Sequence, residues 1–74
     1  MIFNRIAIDP NVMGGTPCIR DTRIPVSIII KLLAKRETFE KIISDYPELI
    51  EEDILASLEY AAWSVSEKST PVFS

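Results

Sequence analysis

The sequence predicts a mainly α fold, a three-helix helix-turn-helix-like bundle led by a short N-terminal β-strand or ribbon. Three observations carry this. Thr38 to Trp63 (TFEKIISDYPELIEEDILASLEYAAW) reads as a short amphipathic helix, a sharp turn at Tyr46-Pro47 and a longer amphipathic helix. A third helical run, VSIIIKLLAKR, precedes it directly. Upstream of Pro25, short β-branched stretches alternate with turn signals. Three helices with a tight second connection make a helix-turn-helix-like, homeodomain-like unit.

The N-terminal stretch MIFNRIAIDP places Phe3, Ile6 and Ile8 in loose alternation, and Asp9-Pro10-Asn11 stops it. Arg5 to Ile8 is therefore expected as a strand, pairing within the chain or with another copy. Gly14-Gly15 permits positive φ and sets a loop. Pro17 to Arg20 reads as a second strand. Asp21-Thr22 is the expected turn, and Arg23-Ile24 returns, with Ile19 and Ile24 facing the helices. Cys18 reads as a small packing residue.

Pro25 suits a helix start, its φ already fixed. The helix over about 26–35 is apolar nearly all round, and such a helix is buried nearly all round. Either a second copy covers its extra face, through Ile28 and Leu32 and with Ile6 and Ile8 of the ribbon, or strands and helices of one chain cover both sides. Thr38 caps the second helix, over about 38–46, with Glu40 at its positive end. Phe39, Ile42, Ile43 and Tyr46 form its buried stripe, and Pro47 stops it. The third helix, over about 51–65, starts with Glu51, Glu52 and Asp53, which complement the helix dipole. Ile50 falls at its N-cap and has no capping atom, which costs about 1 kcal/mol relative to Ser or Thr. Ile54, Leu55, Leu58, Ala61, Ala62 and Val65 are expected as its core face. Trp63 lies to one side, either as an anchor for a partner or packed on Tyr60 or the tail. Residues 1–65 make one domain and 66–74 a tail, in which Val72 and Phe73 either dock on a partner or pack on their own domain.

The chain has 74 residues and 47% hydrophobic content, with one cysteine and no histidine. A chain this short buries only roughly 60% of its unfolded surface. No disulfide braces it, and a metal site is not expected without His or Cys ligands. Apolar-rich small domains gain burial from partners, so a homodimer or complex is expected. The longest apolar run, Val26 to Ala34, is too short for a bilayer, so no membrane role is expected. The lone cysteine and the lack of a secretory signal point to the cytoplasm.

Charge divides along the chain. Residues 1–47 carry +2 and residues 48–74 carry −5. Catalysis is not expected: Ser, Thr and Cys have no histidine base, and first-turn acids serve the dipole. So small a domain encloses no pocket for a small-molecule substrate, and no cofactor is expected. DNA binding would require phosphate neutralisation. In a standard helix-turn-helix the second helix of the pair enters the groove. Here that helix exposes Glu51, Glu52, Asp53 and Glu59 and would be repelled. Any DNA contact is expected from Arg5, Arg20, Arg23, Lys31, Lys35 and Arg36. Glu51, Glu52, Glu59 and Trp63, with Val72 and Phe73, are expected to meet a protein partner.

The blocks GGTPCIRDTRIPV and DYPELIEEDILASLEYAA closely resemble a bacterial and archaeal family, domain-of-unknown-function family 433, from about Ile6 to Ala62. Arg20, Thr22, Arg23, Pro25, Asp45, Tyr46, Pro47, Glu52 and Asp53 match its pattern. Thr16 stands where the family has Lys or Arg, Asp21 where it has Gly, Arg36-Glu37 where a Gly often closes the first helix, and Ile50 where it has a capping Thr. Many members are encoded beside a PIN-like nuclease and regarded as antitoxins of type II toxin–antitoxin systems. The resemblance therefore implies a protein that neutralises a PIN-like toxin ribonuclease, with autoregulatory DNA binding as a second role. A DNA-binding regulator without a toxin, or a non-catalytic dimeric assembly module, are the alternatives.

Overall fold

The computed structural model describes residues 4–11 and 13–68. The expected tail residues Val72 and Phe73 lie outside the described residues. The element order is β1 (Ile6–Ala7), a short 3-10 turn (Met13–Gly15), β2 (Cys18–Ile19), α1 (Val26–Ala34), α2 (Phe39–Asp45) and α3 (Glu51–Lys68). The architecture is the expected three-helix bundle with a two-stranded antiparallel ribbon.

The ribbon pairs within the chain. Ile6 lies opposite Ile19, and Ala7 opposite Cys18. The Arg20 amide donates to the Arg5 carbonyl at 2.8 Å, which extends the pairing past the strand end. Beyond β2 the chain turns about Arg20-Asp21, one residue earlier than expected. The Thr22 amide donates to the Ile19 carbonyl at 3.1 Å, and Asp21 takes a left-handed φ of 65°. The Thr22 hydroxyl stitches this turn, donating to the Ile19 carbonyl and accepting from the Ile24 amide. The returning strand narrows to a single bridge, Cys18 to Pro25, because proline supplies no amide to continue the ladder. The Val26 amide then donates to the Pro17 carbonyl at 3.0 Å, so the ribbon holds the first turn of α1.

α1 ends at Ala34 in a Schellman motif. The Arg36 amide donates to the Leu33 carbonyl and the Glu37 amide to the Leu32 carbonyl, with Arg36 at a φ of 68°. Asp21 and Arg36 are thus the two non-glycine residues with positive φ, among the described residues. Asp21 stands where the resembled family has glycine, and Arg36 lies in the Arg36-Glu37 pair where a glycine often closes the first helix. The family pattern follows from backbone sterics, and this chain carries the strain of two side chains there.

Thr38 caps α2 as expected, its hydroxyl accepting from the Lys41 amide at 3.1 Å. Tyr46 to Ile50 joins α2 to α3, with the Leu49 amide donating to the Tyr46 carbonyl. The turn drives Leu49 into the core. Ile29 of α1, Ile42 of α2, Leu49 and Ile54 of α3 meet there, each essentially without solvent exposure. Each such aliphatic side chain contributes about 1.5–3 kcal/mol of transfer free energy.

Two expectations about burial are corrected. Ile6 is core, spent on the chain's own ribbon–helix contact rather than on a second copy. Ile28 and Leu32 are half-buried, Leu32 against the core cluster. Within α1 Val26 and Ile29 are buried, while Ile28, Ile30, Leu32 and Leu33 stay half-buried. Of the four residues expected at a dimer interface, Ile8 alone is well exposed.

Candidate docking surface

α3 is rotated relative to the expected core face. Its buried line runs through Asp53, Ile54 and Ser57, with Tyr60, Ala61 and Ser64 half-buried behind them. Leu55, Leu58 and Val65, expected in the core, stand 48%, 41% and 63% exposed, and Ala62 is exposed beside them. Ser57 is fully buried in the core, where a larger side chain has no room, whereas Ala61 and Ser64 are half-buried beside an apolar cleft shared with Pro17, Val26 and Ile30. The Ser57 hydroxyl donates to the Asp53 carbonyl at 2.9 Å, which satisfies it in the core. Helical spacing fits either line of residues. A run of small residues at i, i+4, i+7 was the signal available for the correct one.

Asp53 is a second correction. It was expected on the acidic solvent face, but it is 6% exposed and does two jobs. One carboxylate oxygen accepts from the Ile50 amide at 3.0 Å. The other accepts from Arg5 Nη1 at 3.2 Å. Asp53 therefore supplies the reciprocal half of a capping box, and the missing cap at Ile50 is offset from three residues downstream. The same contact ties the N-terminal segment to the start of α3. Helix α3 also runs to Lys68, three residues past its expected end, where no Gly or Pro stops it before Pro71.

The bare face of α3 therefore carries Leu55, Leu58, Ala62 and Val65, with Glu51, Glu52 and Glu59 exposed along it. An open groove runs beside it, lined by Asn4, Arg5, Glu52, Leu55, Leu58 and Glu59. Trp63 is partly exposed, its ring centroid 5.8 Å from that of Tyr60 in a tilted contact. Trp63 thus packs on Tyr60, as one of its two readings had it, and keeps an exposed edge.

The six basic residues expected to meet DNA separate into two groups. Arg5 is ion-paired with Asp53. Arg20 holds the ribbon, its Nε donating to the Asn4 carbonyl at 2.6 Å and its Nη2 to the Ile6 carbonyl at 3.4 Å. Both are committed to the fold. Arg23, Lys31, Lys35 and Arg36 are exposed and make no side-chain ion pair among the described residues. Lys41 pairs instead with Asp45 at 3.0 Å, which raises its pKa above the ordinary 10.5. No cluster of residues suited to a metal ion occurs among the described residues, nor any helix long and apolar enough to cross a membrane.

Fold and surface together define a small ribbon-led three-helix domain whose last helix keeps a bare apolar face. The chain belongs to the DUF433 family, described as proteins of unknown function, whose model matches residues 6–61. It is 32% identical over 56 residues to the uncharacterized protein y4eO of Sinorhizobium fredii (strain NBRC 101917 / NGR234). That match takes in 76% of this chain and 25% of y4eO, so the chain spans about a quarter of that relative's length. It is also similar to the crystal structure of a DUF433 member from Anabaena variabilis ATCC 29413, with a TM-score of 0.79 and 33% identity. The likeness covers 86% of this chain and 63% of that one.

Proposed function

We propose that this chain is an antitoxin-like binding protein that neutralises a PIN-like ribonuclease and has no catalytic activity of its own. The observation that supports this is the solvent face of α3. It presents apolar side chains beside Glu51, Glu52 and Glu59, with Arg5, already paired to Asp53, at the edge of the groove. Such a face repels nucleic acid and suits a basic protein surface, where complementary charge steers encounter. The cytoplasm is the compartment this role requires, and it suits a lone reduced cysteine.

Co-expression with the product of the adjacent gene, which this reading requires to be a PIN-like ribonuclease, tests it. The full chain should suppress ribonuclease activity, and failure to suppress removes the antitoxin role. Glu51→Lys with Glu52→Lys should weaken the protein complex more than any DNA complex; the opposite order overturns the assignment of this face.

A DNA-binding regulator without a toxin is the second reading. Arg23, Lys31, Lys35 and Arg36 favour it, since they are the basic groups left unpaired among the described residues. Binding to its own promoter should then fall steeply with salt, and Lys31→Ala with Lys35→Ala should lower the salt slope by about 2.

A further inference from the structure

We propose that the segment after α3, residues 69–74, returns along its own domain and seats Val72 and Phe73 in the apolar cleft between α1 and the later half of α3. The cleft is open and has a volume of about 310 Å³. Pro17, Val26 and Ile30 line one side of it, and Ala61, Ser64 and Val65 the other. No charged residue lines it among the described residues. Val26 is buried, Ile30, Ala61 and Ser64 are half-buried, and Val65 is 63% exposed. A recess of this size and character suits a pair of apolar side chains, and it offers a charged group nothing to replace its water.

Composition, reach and tethering single out residues 69–74 as the occupant. Their sequence, STPVFS, has no ionisable side chain, and Val72-Phe73 is its apolar pair. Ala61 lies seven residues before the last residue of α3, Lys68, about 10 Å along the helix. The five residues from Lys68 to Phe73 span up to about 17 Å when extended, which leaves length for the turn. Pro71 bars α3 from running on, since its ring clashes with the preceding turn and Thr70 before it is pushed away from helical φ/ψ. A segment joined this closely acts at an effective concentration on the order of millimolar, which any free competitor has to exceed. The groove beside Leu55, Leu58 and Glu59 shares no lining residue with the cleft, so the two can be filled at once. Ribonuclease suppression is not needed for any of this.

NMR of the full chain is the test. Nuclear Overhauser contacts are expected from the Phe73 ring to the methyl groups of Ala61 and Val26. In a mixture of labelled and unlabelled chains they should arise within one molecule. Phe73→Ala should lower Tm by about 4–8 °C with helix content retained. Ser64→Lys, which puts a charge in the cleft, should abolish the Phe73 contacts. In that background Phe73→Ala should cost less than half as much, because mutations at sites that touch do not add. A Phe73 ring without contacts to α1 or α3 would overturn the proposal. Contacts that cross between labelled and unlabelled chains would do so as well, since the occupant would then come from a second copy. Fully additive effects of Phe73→Ala and Ser64→Lys on Tm would likewise sink it.

Discussion

Removal of the Asp53 carboxylate separates its two structural roles. Asp53→Ala deletes the acceptor for the Ile50 amide, worth about 1 kcal/mol by analogy with helix caps. It also deletes the contact to Arg5, whose side chain is 43% exposed. Solvent screening holds that ion pair to about 1 kcal/mol or less. The expected loss is therefore about 2 kcal/mol, against a total stability of roughly 4–11 kcal/mol for a chain of this length. A domain of this size should lose about 8–15 °C in Tm. Asp53→Asn keeps an oxygen for the Ile50 amide and gives up only the charge, so it should cost about half as much. Arg5→Ala should resemble Asp53→Asn, and the Arg5–Asp53 double-mutant cycle should show coupling of about 0.5–1 kcal/mol. Urea unfolding followed by circular dichroism reads all four variants. If Asp53→Ala lies within about 0.3 kcal/mol of the wild type, or Asp53→Asn is as damaging as Asp53→Ala, the capping argument fails.

Other expectations follow from the same packing and backbone features. Asp21→Gly and Arg36→Gly should each raise stability by about 0.5–1 kcal/mol, because both positions have positive φ; a loss at either site in thermal unfolding would contradict the strain assignment. Ile29→Ala should cost about 2–5 kcal/mol as a cavity at the centre of the core, whereas Leu55→Ala should cost under about 1 kcal/mol, since half of that side chain already meets water. Ser57→Leu should destabilise by about 1–3 kcal/mol through overpacking of the core, despite its greater hydrophobicity; a stabilised variant would show that the core has room at Ser57. The Lys41–Asp45 pair is present below the ordinary lysine pKa of 10.5 and is lost as pH rises through the higher folded value, so the Lys41 amine should titrate above an exposed lysine by NMR, and Asp45→Asn should remove the difference.

The resembled glycine positions show how sequence and backbone agree. The resembled pattern has Gly at 21 and at Arg36-Glu37, and the structure gives Asp21 and Arg36 left-handed φ, which explains a glycine preference there. The capping site shows the opposite case. Ile50 looks uncapped along the sequence, and Asp53 looks like one of three equivalent first-turn acids. Its distinct role depends on Arg5, 48 residues away, reaching the same point.

By itself the sequence determined the local elements. Pro25, Thr38 and Pro47 set where helices start and stop, because φ restriction and side-chain capping act within a few residues. It also determined the charge division that leaves α3 acidic. Only the tertiary structure decided which side of α3 is inside. Two lines one residue apart fit the same helical period, and the buried one, through Ile54 and Ser57, is the less apolar; it leaves Leu55, Leu58, Ala62 and Val65 in solvent. The tertiary structure likewise decided that Arg5 and Arg20 hold the fold together, since a guanidinium's partners are fixed by where the chain returns and not by its neighbours in sequence.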